Sequence, residues 1–258
     1  MRHESRRPLR LLAPLALASA LAACATPGGG GNYPRDPEGT MSSTGLANLQ
    51  LAQSYLTSGE LDQALSRARR AERSDPGSPD VQIVLGMIHD RAGDPAEAGR
   101  HFARALALAP DAGHVLNANG AFLCGAGKRA EGEALLRRAA DDRFFGQRER
   151  AFFNAGKCAF EAGDNEKAAD YLRAGLALKP QDPRLLELMA RVQFARGDFL
   201  GARAFFQRRD ALGDTGPELL DLAARIEQAA GDAQAAARYR GRLAAEHPGY
   251  RPGAEGGR

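Results

Sequence analysis

Six glycines recur along the chain at an almost constant spacing. Successive gaps are 34, 34, 36, 34 and 34 residues, and the glycines are Gly59, Gly93, Gly127, Gly163, Gly197 and Gly231. A fixed period of this length is typical of helix–turn–helix repeats. Glycine lets the chain turn with a positive φ after a helix. We therefore expect a stack of helix pairs, with one glycine turn inside each pair.

Two further positions recur in register with these glycines. A small residue follows each glycine by five positions, and these residues are Ala64, Ala98, Gly132, Ala168, Ala202 and Ala236. Proline follows four of the glycines by 17 positions, at Pro76, Pro110, Pro180 and Pro248. The small residue predicts the closest approach of the two helices, and proline predicts the end of the second helix because it has no N–H. No segment alternates with period two, so no strand is expected.

This pattern resembles the tetratricopeptide repeat over residues 45–248. The resemblance implies an all-α, right-handed solenoid of about six repeats, starting near residues 45, 79, 113, 149, 183 and 217, with the first helices lining a concave face. The third unit departs from the pattern, because it lacks the terminal proline and contains two extra residues. A longer loop, DDRFFGQ at 141–147, is therefore expected near the middle of the array.

The first 23 residues have the features of a secretory signal peptide. An arginine-rich start precedes an apolar run over residues 11–22, which is shorter than the roughly 20 residues that span a bilayer. The run ends in LAAC, which resembles the lipobox of bacterial lipoproteins. The resemblance implies acylation of Cys24, anchoring in the lipid bilayer and, because Ala25 rather than Asp follows, an outer-membrane location facing the periplasm. The alternative is an ordinary signal peptide cut nearby, which leaves Cys24 free.

The segments that flank the repeats have a different composition. Residues 24–44 are rich in Gly, Pro, Ser and Thr, which predicts a flexible tether behind the lipidated cysteine. Residues 249–258 are expected to form a disordered tail.

The formal net charge of +3 belongs to residues 1–23, so the rest of the chain is neutral. That balance argues against a nucleic-acid partner.

No arrangement of residues indicates catalysis. The sequence GAGK at 125–128 evokes a phosphate-binding loop, but Phe122 replaces the earlier glycine and Arg129 replaces the required Ser or Thr. The five histidines are scattered, without metal-ligand spacing. We therefore expect no enzyme activity, no metal and no cofactor; an enzyme with an unrecognised site is the alternative.

Two cysteines lie within the repeats. Cys124 and Cys158 fall in the first helices of neighbouring units, three and five residues before their turn glycines. Neighbouring first helices pack side by side, which would bring the two Cα atoms to roughly 5–6 Å, and an oxidising periplasm permits a disulfide. Two interpretations stay open: a disulfide that joins the units flanking the longer loop, or two small buried residues that are not bonded.

The stretch 115–164 resembles the PilF/PilW family of type IV pilus biogenesis lipoproteins, also called pilotins. The resemblance rests on two stretches, NANGAFLC at 117–124 and NAGKC at 154–158. In the first stretch, Ala118 and Asn119 replace the family's usual asparagine and aromatic residue. The resemblance implies a non-enzymatic protein that binds the secretin subunit, carries it to the outer membrane and promotes its assembly. We expect a monomer. The alternative is an adaptor for another periplasmic partner, such as peptidoglycan enzymes or the outer-membrane protein assembly machinery.

Repeat geometry also predicts a partner-binding groove on the concave face. Its expected residues are Ile83, Met87, Asn117, Arg150, Phe153, Lys157, Phe160, Arg184, Arg191 and Phe194. Basic side chains between phenylalanines suit an acidic and apolar peptide. Alternatively, the phenylalanines pack between units, and Asn117 and Asn154 cap helices or bond backbone groups within the array.

Overall fold

The computed structural model describes residues 41–251, which contain twelve α-helices and no strand. The helices are α1 (Ser43–Ser58), α2 (Leu61–Ser74), α3 (Pro79–Arg91), α4 (Pro95–Leu108), α5 (Gly113–Gly125), α6 (Arg129–Asp141), α7 (Arg148–Glu161), α8 (Asn165–Leu178), α9 (Pro183–Ala195), α10 (Phe199–Asp210), α11 (Pro217–Ala229) and α12 (Ala233–Glu246).

The helices form six pairs, each made of an odd-numbered helix and the even-numbered helix that follows it. Each odd-numbered helix also contacts the odd-numbered helices of the neighbouring pairs, from α1 to α11. The even-numbered helices up to α10 contact the odd-numbered helix that comes next in the chain. The expected all-α stack of helix pairs is therefore confirmed for the described residues, and one side of it is lined by the odd-numbered helices.

A left-handed glycine separates the two helices of every pair. The six glycines of the 34-residue pattern have φ between 79° and 84°. At the first turn, the Gly59 N–H donates to the Leu56 carbonyl and the Glu60 N–H donates to the Tyr55 carbonyl. A side chain in this conformation would cost roughly 1–2 kcal/mol, which explains the glycine. The repeat pattern does not include Gly213, which has φ 82° between α10 and α11.

Within three central pairs, a glycine of the first helix faces a large side chain of the second. The contacts are Gly86 with Phe102, Gly120 with Leu136 and Gly156 with Leu172. A Cβ added at any of these glycines would lie 3.0 Å or less from its partner side chain. The three large side chains are at most 3% exposed. Each glycine therefore allows its partner to be buried fully, which stabilises the pair by about 1.5–3 kcal/mol.

Arginines of the second helices join successive repeats. The tenth residue of α4, α6 and α10 donates from Nη2 to the carbonyl of the proline that ends the preceding unit. The bonds are Arg104 to Pro76 (3.2 Å), Arg138 to Pro110 (3.1 Å) and Arg208 to Pro180 (2.8 Å). The tenth residue of α8 is Ala174, whose methyl group cannot make this bond. The third and fourth units, which the longer loop connects, therefore lack this arginine–proline bond.

Two histidine rings stack within the α3–α4 unit. His89 stacks on His101 at 5.3 Å between ring centroids, and the His101 Nδ1 lies 2.8 Å from the Gln82 Oε1. Gln82 donates from Nε2 to the Glu72 carboxylate, so its Oε1 is the acceptor and His101 Nδ1 the donor. Burial, and then the nearby His89, lower the pKa of His101 below its ordinary value of 6.5.

We expect this histidine to reduce stability in mild acid. Because the pKa of His101 is lower in the folded chain, the unfolded chain takes up the proton first as the pH falls below 6.5. The free energy of unfolding should therefore fall between about pH 7.5 and about pH 5.5, and His101→Gln should reduce that fall. Urea titrations at the two pH values test this, and an identical pH dependence in the variant would contradict it.

Several expectations lie outside the described residues. These are the signal peptide (1–23), the lipidation of Cys24, the tether up to residue 40, and the tail from residue 252. Among residues 41–251, no helix is both long enough and apolar enough to cross a membrane.

Candidate partner-binding groove

Two adjoining cavities lie along the side of the stack that is lined by odd-numbered helices. The larger, of about 820 Å³, is lined by residues of α3, α5 and α7 and by the loop at 142–147. The smaller, of about 380 Å³, lies between α7 and α9. They share Phe153, Lys157 and Arg184, and we call the two together the groove. Both volumes fall in the range of about 300–1,000 Å³ that is typical of ligand-binding pockets.

Nine of the ten predicted groove residues line these cavities. The larger contains Ile83, Met87, Asn117, Arg150, Phe153, Lys157 and Arg184, and the smaller adds Phe160 and Arg191. Repeat geometry places these residues on one side of the stack because they recur on the first helices. The groove also contains residues that the sequence analysis did not select, among them Phe144 and Phe145 of the loop.

Two of the predicted residues need correction. Ile83 is only 1% exposed and packs with Phe102 and Val115 in the core, so it forms the floor of the groove and is not available to a partner. Phe194 lines neither cavity. Its ring packs against Phe199 at 5.7 Å, and the Arg225 guanidinium lies 5.1 Å from its centroid. Phe194 therefore belongs to the packing between α9 and its neighbours.

An amide pair joins α5 to α7 at the base of the groove. Asn154 donates from Nδ2 to the Asn117 Oδ1 at 2.8 Å, and Asn117 is 6% exposed. Of the two interpretations of these asparagines, the structure has them in the lining of the groove, where they bond to each other rather than to backbone groups. A backbone bond is instead made by Asn119, which donates to the Phe102 carbonyl.

A disulfide joins the same two helices. The Sγ atoms of Cys124 and Cys158 lie 2.05 Å apart, and their Cα atoms lie 5.6 Å apart. Of the two interpretations of these cysteines, the structure therefore contains the bonded one. Both residues are buried beside Leu136 and Ala155. The amide pair and the disulfide together hold α5 and α7, which carry most of the larger cavity, at a defined separation.

The cations of the groove have carboxylate neighbours that the sequence analysis did not weigh. Lys157 lies 3.3 Å from Glu161, and Arg191 lies 2.9 Å from Glu187, each one turn away on the same helix. These pairs are partly or largely exposed and contribute little, about 0.3–0.5 kcal/mol. A partner carboxylate can therefore replace either glutamate at small cost, and the groove remains suited to an acidic segment.

Arg184 is held more firmly than the other groove cations. It donates to Asp182, whose side chain is 1% exposed and also accepts from the Leu185 N–H at the start of α9. Burial opposes ionisation of Asp182, but the hydrogen bond and charge of Arg184, with two backbone N–H donors, lower its pKa overall. The guanidinium lies 5.3 Å from the centroid of the Phe153 ring. Arg184 thus supports α9 and forms a wall of both cavities.

Comparison with known proteins places this architecture in a family. Tetratricopeptide-repeat family models match residues 49–113, 123–183 and 159–226, which together exceed half of the chain. The type IV pilus assembly protein PilF of Pseudomonas aeruginosa PAO1 is 28% identical over 160 residues. That alignment covers 62% of this chain and 64% of the length of PilF.

Two solved structures cover more of the chain. One is PilW, described as a widely conserved type IV pilus biogenesis factor, with a TM-score of 0.75, 28% identity, and coverage of 81% of this chain and 96% of PilW. The other is Pseudomonas aeruginosa PilF, with a TM-score of 0.69, 26% identity, and coverage of 80% and 93%. Scaffolds of this type are non-catalytic protein-interaction modules. The chain therefore belongs to the tetratricopeptide-repeat family and is similar in sequence and structure to the pilus biogenesis proteins PilF and PilW.

Proposed function

We propose that this chain is a scaffold of type IV pilus biogenesis that is lipid-anchored at the outer membrane, binds the secretin subunit and promotes its localisation and assembly. The observation that carries the proposal is the similarity to PilW and PilF, both of which are described as pilus proteins, over about four fifths of the chain. The groove supplies the binding surface that such a role needs.

The groove supports a protein partner by its chemistry. Phe153 and Phe160 provide apolar surface, and Lys157 and Arg191 stand half-exposed beside them. A segment of the secretin would place apolar side chains in the two cavities and carboxylates against these cations. Aromatic rings surrounded by polar groups are typical of the residues that carry most of the energy at protein interfaces.

Cys24 supports the location at the membrane. An acyl chain contributes about 0.8 kcal/mol for each buried methylene group, so two or more chains on this residue form a stable anchor. Mass spectrometry of the protein from its host should find acyl chains on Cys24, and Cys24→Ser should move it into the soluble periplasmic fraction. An unmodified Cys24 would contradict the anchor.

The role in assembly is tested in cells. Deletion of the gene should remove detergent-resistant secretin multimers from the outer-membrane fraction, and the wild-type gene should restore them. Cys24→Ser should leave the multimers reduced or displaced from that fraction, because the scaffold no longer reaches the membrane. Multimers that persist unchanged after deletion would contradict the proposal and favour another partner.

A further inference from the structure

The loop at 142–147 presents the most exposed large hydrophobic residue in the described part of the chain. Phe144 is 98% exposed, whereas Leu200, the next in this range, is 68% exposed. Phe144 follows Gly127 by 17 residues and so stands at the position that proline occupies in four other units. Proline at this position is explained by the end of the second helix. Phenylalanine is not, so its presence here needs a different explanation.

Contacts on both sides of Phe144 hold the backbone of the loop. The Phe144 N–H donates to the Asp142 Oδ1 at 2.9 Å. Phe145 turns inward and packs over Gly113 so closely that a Cβ there would lie 2.5 Å from the Phe145 Cβ. After the loop, Arg148 donates from Nε to the Ala140 carbonyl at 2.6 Å. These contacts restrain the backbone on both sides of Phe144 before any partner arrives, which reduces the loop entropy lost on binding.

The loop also departs from the architecture of the repeats. The arginine that joins three other units to the proline of the preceding loop is replaced by Ala174 at this junction. The loop lies instead against the groove, where Phe144 and Phe145 line the larger cavity with Arg150 and Lys157. The loop thus adds an aromatic side chain to the groove at a position where four other units have proline.

The charges around the larger cavity indicate the chemistry of its occupant. Its lining includes the cations Arg150, Lys157 and Arg184 and the carboxylates Asp90 and Asp142. The two carboxylates lie on α3 and in the loop, so the residues of α7 and α9 that line the larger cavity include three cations and no carboxylate. Two of these cations, Lys157 and Arg184, also pair with carboxylates outside the lining of this cavity. An acidic segment complements the side of the cavity formed by α7 and α9, and an apolar residue of that segment would cover Phe144.

We infer that Phe144 is an anchor residue for the partner segment that binds in the groove, and that this segment is acidic and carries an aliphatic or aromatic residue. The inference rests on the proposed function, because the segment is assigned to the secretin. Burial of one phenylalanine against a partner is worth about 1.5–3 kcal/mol, which corresponds to roughly tenfold or more in affinity.

The affinity test compares Phe144→Ser with Leu200→Ser. Both variants replace an exposed apolar side chain by serine, but Leu200 lies on α10, outside the groove. Binding of the purified secretin subunit to the mature chain should weaken about tenfold or more in Phe144→Ser and stay unchanged in Leu200→Ser. Thermal unfolding should be the same for both variants and the wild type, because the Phe144 side chain is almost fully exposed.

Photo-crosslinking separates this inference from the proposed function. The crosslinking residue p-benzoylphenylalanine is placed at position 144, 157 or 200, and the secretin is the probed partner. We expect crosslinks to the secretin from 144 and 157 and none from 200. A crosslink from 157 alone, with full affinity in Phe144→Ser, would overturn the role of Phe144 and leave the proposed function standing. Absence of crosslinks from both 144 and 157 would overturn both.

Discussion

Replacement of both Cys124 and Cys158 by alanine lowers the free energy of unfolding by about 3–4 kcal/mol. The disulfide links residues 34 positions apart, and a cross-link of that span restricts the unfolded chain substantially. Urea titration followed by far-ultraviolet circular dichroism measures the difference. Treatment of the wild type with reductant should lower its stability to a similar degree, and the double variant should not respond to reductant.

The position of the disulfide adds a second expectation for the same variant. Tetratricopeptide repeats contact only their neighbours, so the cooperativity of unfolding depends on each interface between units. The disulfide joins α5 to α7 and so links the third and fourth units, where Ala174 on α8 cannot make the arginine bond to the preceding loop. We expect the variant to unfold over a broader range of urea concentration. Equal midpoints and equal breadth with and without the disulfide would contradict its structural role.

Substitution of Gly132 by alanine should lower the free energy of unfolding by about 1–3 kcal/mol, although alanine occupies this position in the five other units. A Cβ on Gly132 would lie 2.6 Å from the Cys124 Sγ, 2.7 Å from the Gly120 carbonyl oxygen and 2.8 Å from the Cys124 backbone nitrogen. Two of these atoms belong to the backbone, so the α5–α6 pair must separate to admit the methyl group.

Gly125→Ala is the matched control for that substitution. Gly125 lies in α5 of the same unit, and nothing lies within 4 Å of the position of an added Cβ. Alanine there should leave stability unchanged or raise it by up to about 1 kcal/mol, because alanine favours a helix over glycine. Replacement of Cys124 by alanine should also reduce the cost of Gly132→Ala, since one of the three close contacts is removed. Equal effects of the two glycine substitutions would refute this account of the packing.

Much of the fold could be predicted from the sequence because the same types of residue recur at the same positions of each repeat. Glycine with positive φ marks the turn, a small residue marks the close approach, and both recur at positions that the structure uses in that way. Gly132 illustrates the limit of this reasoning. Its register predicted a small residue, but the reason for glycine rather than alanine is the close approach of Cys124 and of the Gly120 carbonyl, which only the three-dimensional packing reveals.

The groove could be predicted only in part, for a physical reason. Periodicity assigns a residue to a face of a helix, but each first helix has neighbours on both sides and exposes a narrow strip. Ile83 and Asn117 fall at the edge of that strip and are buried, whereas Phe194 is covered by Phe199 and Arg225. Phe144 stands at the register position of the terminal proline, but the extra residues that follow change the path of the loop, so periodicity could not assign this side chain to the groove.

The central claim is that the groove binds the secretin, and a charge reversal tests it most directly. Lys157→Glu with Arg191→Glu reverses two groove cations that are paired to a glutamate on their own helix. Arg100→Glu with Arg173→Glu reverses two similarly paired and exposed cations on α4 and α8, outside the groove. We expect calorimetric titration of the mature chain with the purified secretin subunit to give an affinity reduced by about tenfold or more for the groove variant and unchanged for its control. Equal affinities for the wild type and both variants would contradict the claim.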